Sequence, residues 1–97
     1  MFPVQISKQT FAKVSTGQGS AGAATAALTA SPRVAAYGVY IRNHHATAHM
    51  FVGDSNLTAA NGFRLDCAQS IWIPVEDPRD IYVLQDTVAV TYSFLVV

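Results

Sequence analysis

The residue types able to do chemistry crowd into one part of this chain. His44, His45 and His49 sit in "HHATAH", Asp54 and Ser55 in "GDSN", and the single cysteine, Cys67, in "RLDCAQS". Three chemistries can be written for such a set. Zinc requires nitrogen, sulfur or carboxylate ligands that converge to a tetrahedron. No helical pattern carries the His45/His49 spacing and no strand carries a His-x-His pair, so a metal site needs a loop that folds His45 against His49 with Asp54 as third ligand. Hydrolysis needs a nucleophile held against a base. Ser55, His45 and Asp54 have the right types, but no Gly-x-Ser-x-Gly elbow surrounds any serine. "GDSN" resembles the active-site block of a lipase family whose histidine follows far downstream, in a fold this chain is too short to hold. A reactive thiol needs cationic neighbours, and Cys67 between two apolar runs reads as a small, semi-buried side chain. "TGQGSAG" lacks the preceding strand, the Lys-Ser/Thr and the following helix of a phosphate loop. The expectation is that the histidines occupy turns and strand edges, with no catalytic residue, no metal and no cofactor: a chain that is not an enzyme.

The elements that would position these residues are strands. "VYIRN" places Val39 and Ile41 on one face and Tyr40 and Arg42 on the other. "AHMFVG" sets Met50 and Val52 against Phe51, and a short "GFRLD" follows. "SIWIPVED" sets Ile71, Ile73 and Val75 against Trp72 and Pro74, and "RDIYVLQD" sets Ile81 and Val83 against Tyr82 and Leu84. "TVAVTYSFLVV" alternates Val88, Val90, Tyr92, Phe94 and Val96 with Ala89, Thr91, Ser93, Leu95 and Val97. These period-two runs are rich in β-branched and aromatic residues. Between them stand Gly53-Asp54-Ser55-Asn56 and Asn61-Gly62, which favour Asx turns or positive φ, and Asp77-Pro78, which stops a strand. The fold class expected is all-β, an antiparallel sandwich or jelly-roll-like barrel of about six to eight strands.

Ahead of this core, taken as residues 33–97 of one domain spanning 1–97, the chain changes character. "FPVQISKQTF" has strand periodicity through Phe2, Val4 and Ile6, and reads as a first sandwich strand or as an arm that adds a strand to a neighbour. "TGQGSAGAATAALTASPR" is nearly all Gly, Ala, Ser and Thr. Ala23 to Leu28 has the propensity for a short helix, but a flexible loop or extended arm is the expectation over this stretch.

Composition bears on partners. Of 97 residues 51% are hydrophobic and only 12% charged, with no formal net charge, a balance that favours association. Six scattered basic residues give no nucleic-acid footprint. No apolar run approaches a membrane span, and no basic-then-apolar start suggests a leader. The run "SFLVV" is apolar on both faces. Such a strand is either central under a second layer or turned toward another chain, and a subunit interface is the preferred expectation. Tyr92, Phe94, Leu95, Val96 and Val97 are candidates for core and intersubunit packing. Trp72 and Tyr82 are candidates for core or interface, and Phe2, Val4 and Ile6 for contact with another chain.

The order "VYIRN … FVGDSNLTAANGFRL … SIWIPVEDPRDIYVLQDTVAVTYSFLVV", from Val39 to Val97, resembles the small capsid decoration or cement proteins of tailed bacteriophages and related accessory head proteins. Where a glycine or small-residue turn belongs before the "SI.IPV" strand, this chain has Cys67-Ala68-Gln69. The resemblance implies a virion protein, made in the host cytoplasm, that binds the major capsid protein on the outside of an assembled shell and stabilises it, often as a homotrimer. The same pattern also fits a receptor- or glycan-binding head domain of a fibre or spike.

Overall fold

The computed structural model describes residues 14–31 and 33–97. They form an antiparallel β-sandwich of two four-stranded sheets. The strands are β1 (Ser15–Ala21), β2 (Ala26–Ala27), β3 (Val39–Asn43), β4 (Met50–Gly53), β5 (Phe63–Leu65), β6 (Ser70–Ile73), β7 (Tyr82–Gln85) and β8 (Val90–Val96). One sheet, here sheet A, runs β1-β8-β3-β6, and the other, sheet B, runs β2-β7-β4-β5. The six strands from Val39 onward coincide with the six apolar alternations in the sequence.

The alternation sets the two faces. Val39 and Ile41 of β3, Val90, Tyr92, Phe94 and Val96 of β8, and Ala21 of β1 point inward from sheet A. Met50 and Val52 of β4, Leu65 of β5 and Val83 of β7 meet them from sheet B. Phe51, Leu84 and Tyr82 face the other way from sheet B, where the loop after β4 folds back and lays Leu57 over them. Sheet B is thus apolar on both faces because a loop of its own chain covers the outer one. Gly53 and Gly62 make this closure possible: a Cβ at Gly62 would stand 2.6 Å from Leu57 Cδ1 and 2.7 Å from Phe51 Cβ. The Asn61-Gly62 pair therefore serves close approach rather than a positive φ, which among the described glycines occurs only at Gly38.

The Gly/Ala/Ser/Thr-rich stretch departs from the loop expected there. Ser15–Ala21 is a seven-residue strand paired along its whole length with β8, from Ser15 opposite Val96 to Ala21 opposite Val90. Ala26–Ala27 pairs with β7, and Leu28 is buried in the main core. The core thus extends back well beyond residue 33. Small residues suit β1 because it lies over two rings of β8. Gly17 faces Phe94 and Gly19 faces Tyr92, where any side chain would collide. Tyr92 donates its hydroxyl to the Leu28 carbonyl at 2.6 Å, which ties the chain after β2 to the middle of sheet A. Burial pushes the Tyr92 phenol above its ordinary pKa, because the phenolate would lose its hydration.

Turn chemistry follows the sequence closely. Asp54 Oδ1 accepts from the Asn56 amide at 2.9 Å in an Asx turn. Asp77 caps the short 3-10 turn Pro78–Asp80 by accepting from the Arg79 amide at 2.9 Å. The Arg79 guanidinium closes on the same carboxylate at 2.8 Å and holds the Asp77 carboxyl below its ordinary range. The turn before β6 is different: Ala68 sits at φ 62°, in the left-handed region. An alanine there costs about 1 kcal/mol relative to glycine. Ala68→Gly is expected to raise stability by roughly 0.5–1 kcal/mol, read as a higher urea midpoint at unchanged slope. A lowered midpoint would show that the left-handed turn is not formed.

Candidate functional site

The chemical stretch comes apart in three dimensions. His44, just past β3, places Nε2 2.7 Å from Ser93 Oγ on the outer face of sheet A. His45 turns back on its own loop, where Nδ1 accepts from the amides of Thr47 at 3.1 Å and Ala48 at 2.9 Å. That geometry makes Nδ1 an acceptor and assigns the ring proton to Nε2. His49 pairs with Asp86 at 3.0 Å and stands edge-on to Phe51, with ring centroids 5.6 Å apart. Each imidazole thus has a separate local partner. Among the described residues no three His, Cys, Asp or Glu side chains gather as a metal site would require. Asp54 and Ser55 belong to the Asx turn, where Asp54 accepts from the Asn56 amide. Cys67 is exposed in the turn before β6, not semi-buried: the backbone of Ala68 and Gln69 is tied to Asn43 at the end of β3, and the thiol is left toward solvent.

The residue that organises this region is one the chemical reading passed over. Asn43 is 0% exposed, the buried polar side chain at the end of β3. Its Nδ2 donates to the carbonyls of Ala48 at 3.0 Å and Leu65 at 3.1 Å, and its Oδ1 accepts from the His45 amide at 2.7 Å. The Leu65 bond crosses from sheet A to sheet B. The signal in the sequence was the Asn that ends "VYIRN", a polar residue on the inward-facing parity of a strand.

The interface candidates divide by face. Tyr92, Phe94 and Val96 lie inside the sandwich core, so the apolar face they make is covered by sheet B of the same chain. Of the two roles the sequence left open to them, core packing is the one the sandwich gives them. Of the two readings of β8, central position holds: it is flanked by β1 and β3. Leu95 and Val97 are half-buried on the opposite side, and Tyr82 is half-buried against the small outer cluster of sheet B. Trp72 is 44% exposed. Phe2, Val4 and Ile6 lie outside the described residues.

The outer face of sheet A is the surface left open, and its register orders it into rows. Thr16 pairs with Leu95, Leu95 with Tyr40, and Tyr40 with Trp72, one residue from each of the four strands. One step along, Gln18, Ser93, Arg42 and Ser70 form a parallel polar row. The rows border a shallow groove of about 560 Å³ lined by Thr16, Gln18, Tyr40, Arg42, Ser70 and Ser93, among others. The Tyr40 and Trp72 rings lie 6.4 Å apart, tilted by 44°. Trp72 rests where Gly38 leaves room: a Cβ at Gly38 would stand 2.8 Å from the indole Cζ2.

A second open feature rims that face. Val34 is 88% exposed, and Val14 and Tyr37 are each 58% exposed. All three gather where β1 begins and β8 ends. Ser15 opposes Val96, the Tyr37 amide donates to the Val97 carbonyl at 2.7 Å, and Arg33 next to Val34 donates to the Thr16 carbonyl at 3.2 Å. Single exposed apolar residues are ordinary on a surface, whereas a gathering of them marks a contact site.

Fold and open face together define the chain as an antiparallel β-sandwich with a grooved, weakly charged outer sheet face. Comparison with family models, with curated proteins and with solved structures returns no match to it. Among the described residues no helix is long and apolar enough to cross a membrane.

Proposed function

We propose that this chain is a structural virion protein that binds the outside of an assembled bacteriophage capsid and stabilises it, acting as a homotrimer. The observation that carries the reading is the apolar rim of Val14, Val34 and Tyr37 at one end of sheet A. It is a surface suited to being covered by another chain. Low charge supports the same reading, as does β1, a seven-residue edge strand without a single charged residue or proline. Most sheet edges are guarded by such residues when they must stay unpaired.

Cementing of this kind is linkage. A ligand that binds the assembled shell and not its separated subunits stabilises the shell by mass action. Three copies joined around an axis engage several capsid subunits at once, so each contact can be weak. Val34→Ser is expected to weaken cosedimentation with capsids stripped of this protein by about tenfold, since covering a valine is worth roughly 1.5 kcal/mol or more. Light scattering is expected to give three times the chain mass. Failure of the unaltered protein to sediment with such capsids would end the proposal.

A receptor- or glycan-binding head is the second reading, and one observation favours it: the exposed pair Tyr40 and Trp72 beside a groove that also presents Gln18, Arg42, Ser70 and Ser93.

A further inference from the structure

We infer that the groove on the outer face of sheet A binds an acidic saccharide, with the Tyr40–Trp72 pair as the platform for a sugar ring and Arg42 as the receptor for its carboxylate. The inference rests on the second reading above and is independent of the capsid-binding rim, since Val14, Val34 and Tyr37 do not line the groove.

The face has two chemistries laid side by side. Leu95, Tyr40 and Trp72 cross three adjacent strands as an apolar and aromatic row, and both aromatic rings are close to half exposed, at 45% for Tyr40 and 44% for Trp72. Large rings kept open to water beside one another are what a pyranose requires: its axial C–H face is apolar and packs on an aromatic plane, while its hydroxyls point to the rim. The neighbouring row, Gln18, Ser93, Arg42 and Ser70, supplies an amide, two hydroxyls and a guanidinium. His44 hydrogen-bonds Ser93, which stands between Gln18 and Arg42 in that row. Successive same-face positions on a strand are about 7 Å apart, a spacing that a single sugar residue spans. A ring on Tyr40 and Trp72 therefore brings its own acid group, or that of the next sugar, to Arg42.

Charge selects the acidic class. Among the described residues Arg42 makes no ion pair, whereas Arg64 and Arg79 are each held by an aspartate two residues away. No aspartate or glutamate occurs in either row. An unpaired guanidinium on a face without carboxylates offers a bidentate site to an incoming one. A nucleic-acid strand would also bring stacking rings and negative charge, but one cation cannot neutralise successive phosphates.

Trp72 is the only tryptophan of the chain and stands beside the groove against Tyr40, so its emission reports on a sugar ring packed on that pair. The intact protein is titrated with an oligogalacturonate of defined length and, separately, with a neutral malto-oligosaccharide of equal length. The acidic oligomer is expected to shift Trp72 emission to the blue and saturate, with the neutral one at least about tenfold weaker. Arg42→Gln is expected to remove that preference, an effect on the order of tenfold for a charge-assisted pair, and added salt to weaken only the acidic arm. Tyr40→Ala, followed by calorimetry, is expected to weaken both. Melting curves of each variant report whether it is folded. No saturable change with the acidic oligomer, or binding unaltered in folded Arg42→Gln, would overturn the inference. So would an emission shift that depends on protein concentration alone, because the face would then be a contact between copies.

Discussion

Asn43→Ala should lower stability by about 3 kcal/mol, more than any truncation of a surface residue. The side chain is fully buried and makes three hydrogen bonds, two donated to carbonyls and one accepted from an amide. Alanine removes all three. The Leu65 carbonyl, the Ala48 carbonyl and the His45 amide would then stand unpaired at the edge of the core. Each such group costs roughly 1–3 kcal/mol when water cannot reach it, and partial wetting at the loop side brings the sum to the lower end. For a domain of this size the melting temperature should fall by roughly 15 °C. Asn43→Asp separates hydrogen bonding from size. A carboxylate cannot donate, and its charge would face two carbonyl oxygens. The folded state would then hold its proton more tightly than the unfolded chain, so the acid's pKa is raised on folding. The variant should be least impaired at low pH and lose stability as pH rises through the carboxylate range. Denaturant midpoints at several pH values measure this. A pH-independent penalty, or an Asn43→Ala variant within 0.5 kcal/mol of the parent (roughly the scatter of surface changes), would contradict the role given to Asn43.

Gly19→Val is the second large effect, again about 3 kcal/mol. Its Cβ would lie 2.5 Å from the Tyr92 hydroxyl and 2.7 Å from Cζ. The ring must move, and with it goes the buried hydrogen bond to the Leu28 carbonyl. Overpacking costs roughly 1–3 kcal/mol, and a lost buried bond about 1 kcal/mol more. Gly22→Val is the matched control, because nothing lies within 4 Å of a Cβ there. It should change stability by no more than about 0.5 kcal/mol. Chemical denaturation of the two variants side by side is decisive: equal stabilities would mean that β1 does not lie over β8.

That contrast also marks how far the sequence could be read. The strands from Val39 onward were legible because side chains alternate with period two, with apolar parity unbroken in "SIWI" and "VTYSFLV" and interrupted in "VYIRN" only by Asn43. The turns were legible because Asp54 and Asp77 bond their own backbone two residues on. β1 was not legible. "STGQGSA" carries no hydrophobic alternation, since the space over its inward face is filled by the Phe94 and Tyr92 rings of the adjacent strand, and those rings belong to another part of the chain. Sheet B's outer cluster was hidden for a related reason: Phe51, Leu84 and Tyr82 lie on the face opposite Met50, Val52 and Val83, and only the loop carrying Leu57 covers them.

The candidate site divides the same way. Period and residue type placed Tyr40 and Arg42 opposite the apolar face of their strand and Trp72 opposite Ile71 and Ile73, with Trp72 left open between core and interface. The sequence alone determined that much, together with the all-β class and the dispersal of the histidines into turns. Which outward residues share a row was decided only by the tertiary structure, because strand order and register depend on loop closure and on packing between distant segments. Leu95, Tyr40 and Trp72 meet because β8, β3 and β6 are neighbours. Tyr92, Phe94 and Val96 are core because sheet B covers them, and Asn43 is a link between sheets because Leu65 ends opposite it.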